Sequence, residues 1–191
     1  MNRFALLVLA LLLTVPLAVS AQSGPEATPT PAPINPHEYN DPAMHFVAPA
    51  GWFLVGYRLL QVDDLGDDPE VVAGWAGPDR SKPQAITITQ QSFEGDVQGF
   101  EERFENGVRQ QFDSVLIKNK ESMSLKNGMP AYFVDVTYGS GFDSRKEYAV
   151  IWSDGARGVA ITITARTGEL DAATAKKLIS DVSAVRYPLG R

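Results

Sequence analysis

The chain has 191 residues, 44% of them hydrophobic and 21% charged, with 23 acidic side chains against 17 basic ones. That balance describes a mostly globular protein and supplies no basic footprint for nucleic acid or for an anionic membrane surface. Cysteine is absent, which excludes disulfides, thiol catalysis, Cys-ligated zinc and a lipidated Cys anchor.

The N-terminus reads as a secretory signal. Arg3 supplies the positive flank, FALLVLALLL the apolar core, and Pro16 a break before Val19-Ser20-Ala21. Small residues at the third and first positions before the cut place cleavage after Ala21. The competing reading is an uncleaved anchor, but the apolar run falls short of the roughly 20 residues that span a bilayer. Losing residues 1–21 removes only Arg3 among the charges, so the mature net charge is 16 − 23 = −7. Export without Cys suits a bacterial periplasmic or secreted protein, with no membrane insertion once the signal is gone.

Residues 22–38, QSGPEATPTPAPINPHE, form a Pro-rich linker with almost no large apolar side chain. Such a stretch favours extended polyproline geometry and reaches roughly 50 Å at about 3.1 Å per residue. A single folded domain is expected over 39–188. Met44–Ala48 gives a short strand, Pro49-Ala50-Gly51 a turn, and FLVGYRLLQ a second strand whose apolar residues on both faces predict burial on both sides. After the acidic loop DDLGDDPE come EVVAGWAG and QAITITQQ as two further strands.

Asp96 is the expected N-cap of a first helix, in which Val97, Phe100, Phe104, Val108 and Phe112 recur every three to four residues as one apolar stripe. Gly99 and Gly107 weaken it by about 1 kcal/mol each relative to Ala, so packing must hold it. Ser114–Leu125 and Pro130–Tyr138 flank Asn127-Gly128 as a hairpin, with positive φ expected at both turn residues. Arg145–Arg166 is a second hairpin about the turn SDGARG. Asp171 is the N-cap of a last helix whose buried stripe is Ala175, Leu178, Ile179 and Val182. The pentapeptide AITIT occurs twice, at Ala85–Thr89 and Ala160–Thr164, each after a Trp-bearing run and before an Asp-capped helix. An internal duplication would place Ile86 and Ile88 against the first helix and Ile161 and Ile163 against the second; chance recurrence of a half-buried strand pattern is the other explanation.

Tyr39-Asn40-Asp41, Phe46, Pro49-Ala50-Gly51-Trp52, the amphipathic helix after AITIT, and Leu125-Lys126-Asn127-Gly128 before a Tyr-containing strand resemble the PsbP-like fold group. The polar hairpin and the last helix ending in Val-Arg-Tyr extend the resemblance over residues 39–188. The group takes in extrinsic photosystem II subunits, a Ran-binding nuclear import factor and related bacterial domains. The resemblance implies proteins that mostly bind other proteins, and no functional residue carries over from it. Together with the element count, it predicts an α+β domain. A central antiparallel sheet of about six to seven strands would be flanked by two long helices in an α/β/α sandwich.

Catalytic constellations are scarce. His37 and His45 stand eight apart, with Pro36 and Pro42 forbidding a helix that would align them for zinc. Gly139-Ser140-Gly141 lacks the nucleophile-elbow pattern and a downstream His, so its glycines read as turn formers. Asp63, Asp64, Asp67, Asp68 and Glu70 form a dense carboxylate cluster with oxygen ligands of the kind Ca²⁺ takes. Their spacing departs from the EF-hand loop, and a solvated acidic loop is the plainer reading. Trp52, Trp75 and Trp152 read mainly as core, with Trp75 between two glycines the exception. Trp75, Tyr57 and Arg58 are therefore the candidate partner contacts. No cofactor is expected. The preferred function is an exported, non-catalytic module contacting another protein in the cell envelope or outside it. The alternatives are a carrier for a small apolar ligand and an enzyme built on scattered Asp and Glu residues. A deep pocket holding two close carboxylates would favour the enzyme, and a shallow surface would favour binding.

Overall fold

The hairpin over residues 145–166 lies at the centre of the large sheet. Strands β8 (Arg145–Ser153) and β9 (Arg157–Arg166) pair antiparallel, with Tyr148 opposite Ile163 and Val150 opposite Ile161. Asp154 closes their turn by accepting from the backbone N–H groups of Ala156 and Arg157, while Gly155 takes a φ of +103°. The computed structural model describes residues 35–185. The signal segment 1–21, the linker as far as residue 34 and the terminal Arg186-Tyr187-Pro188 lie outside the described residues.

Around that hairpin the chain lays β3 (Phe53–Tyr57), β4 (Glu70–Ala76), β5 (Ala85–Ser92), β6 (Leu116–Ser124) and β7 (Pro130–Tyr138). They make one antiparallel sheet of seven strands in the order β3-β4-β5-β9-β8-β7-β6. A second sheet of three strands, in the order β1-β2-β10, is built from β1 (Glu38–Asp41), β2 (Met44–Val47) and β10 (Val182–Ala184). Two helices complete the fold, α1 (Val97–Gln111) and α2 (Ala172–Ile179). No helix among the described residues is long and apolar enough to cross a membrane.

This corrects the predicted α/β/α sandwich. Among the described residues strand outweighs helix, 45% to 19%, and the helices are not two long flanking ones. The second helix stops after eight residues, at Ile179. Val182, assigned by periodicity to its buried stripe, lies instead in β10, opposite Phe46 of β2, with its carbonyl accepting from Lys126 N–H. Periodicity could not separate the two cases, because a buried Val serves a helix stripe and a strand face equally well. The layer expected to be helical is thus shared between α2 and a small sheet. The strand beginning FLVGY is corrected too. It is short and lies at the sheet edge, with Phe53 and Val55 exposed rather than buried. In the β6–β7 turn only Gly128 has a positive φ, of +86°.

Alternation assigns the two faces of the large sheet. One face carries Trp75, Ile86, Ile88, Phe133, Tyr148, Val150, Trp152, Ile161 and Ile163, and the three-stranded sheet and α2 cover it with Tyr39, Phe46, Ala175, Ile179 and Val182. The opposite face carries Val134, Val136, Ala149, Ile151 and Ala160, which pack against Phe100, Phe104 and Val108 of α1. The AITIT segments are neighbouring strands, pairing Ile86 with Ile163 and Ile88 with Ile161. All four Ile residues share the face beneath α2, so Ile86 and Ile88 turn away from the helix that follows them. Duplication is excluded. The pentapeptides recur because two adjacent central strands need the same apolar and hydroxyl alternation.

Candidate functional site

The α1 face of the large sheet is only half covered. The helix packs on β7 and β8, which leaves the surface of β3, β4 and β5 without a layer above it among the described residues. Across that surface the register runs Phe53, Ala76, Ala85, Thr164, Glu147 in one row and Gly74, Thr87, Thr162, Ala149 in the next. A bulge between Leu54 and Gly56 aims Val55 over Gly74, beside Thr87. Phe53 is 62% exposed, Val55 67% and Val71, in the following row, 56%. Small side chains make the floor: Gly74, Ala76, Ala85 and the Thr array, in which the Thr87 and Thr162 hydroxyls share a hydrogen bond of 2.7 Å. Single exposed apolar residues are ordinary; here three stand together on adjoining strands of one face.

The predicted contact residues divide around it. Trp75 is fully buried, with its indole N–H donating to the Pro36 carbonyl at 2.9 Å and its ring edge-on to Phe46, so it presents nothing to a partner. It is core, because it sits on the covered face. Tyr57 is half-buried, packs on the Tyr39 ring and donates to the Asn40 carbonyl at 3.4 Å. Arg58 is exposed and bridges to Glu70 at the mouth of the acidic loop. The residues that sequence reasoning missed are Phe53, Val55 and Val71. Their only signal was an apolar run on both strand faces, and an edge position reverses what that run means.

The acidic carboxylates do not converge. Asp63 and Asp64 sit on a short 3-10 turn, Glu70 is held by Arg58, and Asp67 is met by Arg103, which also donates to the Asp67 carbonyl at 2.6 Å. Among the described residues no three His, Asp or Glu side chains are placed to hold one metal ion. His45 lies 3.4 Å from Glu38 across β1 and β2, and His37 is exposed. Ser140 lies in a turn whose Gly139 and Gly141 have φ of +75° and +59°.

Two carboxylates do lie close together. Glu101 and Glu105, one turn apart on α1, share the Lys120 ammonium of β6 at 2.9 and 3.1 Å. Burial and the hydrogen bond with Glu105 raise the Glu101 carboxyl. At Glu105 burial acts in the same direction, but hydrogen bonds from Glu101 and Lys120 outweigh it and hold that carboxyl low. Next to them is an open depression of about 450 Å³ lined by Glu105, Arg109, Ile117, Lys118, Asn119 and Lys120. A second, of about 430 Å³, lies by Asp143, Ser144, Arg166 and Glu169. Both are polar and open. Neither encloses an apolar ligand or excludes water from a reacting group.

Glu147 ends the first of these rows on β8, the strand that α1 covers, away from the exposed residues of β3 and β4. Burial pushes its carboxyl up to about 7, against a hydrogen bond with Thr164. Burial, then the Glu147 charge, raises the neighbouring Tyr138 hydroxyl.

No family model matches the chain, and no curated protein does. Among solved structures, a Pseudomonas aeruginosa protein of unknown function, PA94, is similar at 17% identity, over 63% of this chain and 87% of that one, with a TM-score of 0.46. A likeness of that size carries no weight for the fold or the function.

Proposed function

We propose that the protein is an exported, non-catalytic binding module whose uncovered half-sheet docks another protein in the cell envelope or outside it. The observation that carries this reading is the flat surface of Phe53, Val55 and Val71 over a floor of Gly, Ala and Thr, exposed where a covering layer would otherwise lie. Large rigid apolar groups on a flat, poorly hydrated face suit protein contact. Asp63, Asp64 and Asp68 stand exposed on the loop that follows β3, so the complementary partner has an apolar patch with a basic rim. The Glu101–Glu105 pair does not favour an enzyme, because Lys120 and Arg109 engage it in ion pairs beside an open groove.

A photo-activated cross-linker placed at Phe53 in the native envelope tests the proposal. It should trap a discrete partner that is lost from the Val55→Asp variant and absent when the linker sits at Glu102 on the solvent side of α1. Equal trapping at both positions would overturn it.

A further inference from the structure

The two edges of the large sheet are defended differently. The β6 edge carries Lys118, Lys120 and Glu121, all exposed; both edge strands have a register shift, between Ile117 and Asn119 in β6 and between Leu54 and Gly56 in β3, so charge is what separates them. Charged side chains are a usual protection against edge-to-edge pairing. Strand β3, with the sequence FLVGY, has no charged residue and leaves its outer backbone groups open over five residues. The charges lie at its two ends, and they differ in sign. At the C-terminal end the loop beginning at Arg58 carries the exposed Asp63, Asp64, Asp67 and Asp68. At the N-terminal end the β4–β5 loop abuts the start of the strand, with Pro78 next to Gly51 and Gly77 beneath Trp52. That loop exposes Arg80 and Lys82 beside a single acid, Asp79, for a net charge of 2 − 1 = +1.

An antiparallel copy of β3 laid along this edge brings each acidic loop against the Arg80 and Lys82 of the other chain. A parallel copy would set acid against acid. We infer that the occupant of the β3 edge is a second copy of this chain, paired antiparallel about a two-fold axis near Val55. The contact is isologous, so each charge pairing occurs twice. Five residues at about 3.4 Å each separate the two charged ends by about 17 Å, beyond one screening length, so each pairing acts locally. The pairing uses backbone groups and loop charges and leaves the half-sheet face free. It joins two such faces into one continuous surface, and in that respect it extends the docking reading above.

Sedimentation velocity of the mature full chain tests the inference. The wild type should dimerise at low salt and weaken as ionic strength rises, since exposed charge pairs are screened. Val55→Lys should be monomeric with an unchanged circular dichroism spectrum. Arg80→Glu with Lys82→Glu, and separately Asp63→Lys with Asp64→Lys, should each weaken association by ~10-fold or more, and mixing the two variants should restore a heterodimer. A wild type that stays monomeric up to ~1 mM, or a mixture that fails to associate, would overturn it. Trapping of a different protein at Phe53 by a monomeric wild type would sink the copy pairing and leave the docking reading standing.

Discussion

The guanidinium of Arg157 grips the carboxylate of Asp41 through two hydrogen bonds, Nη1 to Oδ2 at 2.8 Å and Nη2 to Oδ1 at 3.0 Å. It thereby ties the large sheet to the small one between residues 116 positions apart. Both side chains are almost wholly buried. Arg157 also donates from Nε to Asp154 at 2.6 Å and from Nη1 to Gln90 at 3.0 Å, and the Gln90 amide donates on to Tyr39 and Asp41. Burial acts to raise the Asp41 carboxyl, but the hydrogen bonds and charge of Arg157 outweigh it and hold that group below its ordinary value. The network fixes how β1 sits on β5 and β9.

Removing Arg157 leaves two buried carboxylates without their cation. Arg157→Met should cost about 3–5 kcal/mol, and Arg157→Lys nearly as much, because an ammonium cannot form the planar fork. Asp41 is a depressed carboxylate. Its contribution is therefore complete above its unfolded value of 3.8 and is lost as pH falls through the lower folded value. Urea midpoints between pH 7 and pH 2 should show wild type and Asp41→Asn converging at the acid end. A constant gap would mean that Asp41 does not titrate in this window.

Local chemistry made part of this fold legible. Asp96 and Asp171 do cap their helices, accepting from Gly99 N–H and Thr174 N–H at 2.8 Å each, because an N-cap is specified within four residues. The alternation in β9 and the stripe of Phe100, Phe104 and Val108 also stand in the structure. What could not be read is set by distant partners. Whether Val182 ends a helix or begins a strand depends on Met44–Phe46, and whether Phe53 is buried depends on β3 having one neighbour instead of two. The Arg157 network joins Tyr39, Asp41, Gln90 and Asp154 from two other strands and a turn, with no spacing to announce it.

Gly158 is a glycine for packing reasons. The Phe100 ring lies directly on it, and a Cβ there would sit inside the ring's van der Waals envelope. Gly158→Ala should cost about 1–3 kcal/mol or more by overpacking, and Phe100→Ala about 3–5 kcal/mol by leaving a cavity. The added methyl fits the space the ring vacates, so the double variant should lose clearly less than the sum of the two. Thermal unfolding of the four proteins in one cycle decides it. Strict additivity would show that the two side chains do not share that space.

The acidic loop should not act as a calcium site. Asp67 and Glu70 each engage an arginine, and the loop's carboxylates do not meet at a point. A ligand that binds only the folded state raises the melting temperature by mass action. Millimolar Ca²⁺ should therefore raise it no more than Mg²⁺ does. A Ca²⁺-specific rise that disappears in Asp67→Asn would overturn this.

Glu147 makes the stability of the fold depend on pH. Its carboxyl is pushed up to about 7 from an ordinary 4.5, chiefly by burial, so the folded protein holds a proton that the unfolded chain releases. The sign follows from linkage. Between about pH 4.5 and 7 the folded state binds more protons, so the Glu147 contribution to stability falls as pH rises through that interval and is flat above it. Glu147→Gln keeps the shape and the neutral charge of the protonated acid. It should match the wild type below pH 4.5 and be more stable at pH 8 by about 1–3 kcal/mol. Thr164→Val removes the hydroxyl that hydrogen-bonds the carboxylate, and should move the Glu147 titration higher still. Chemical denaturation at half-unit pH steps follows the effect, and carboxyl ¹³C shifts follow the proton itself. A stability profile that is flat between about pH 4.5 and 8 would show that Glu147 does not titrate in that interval.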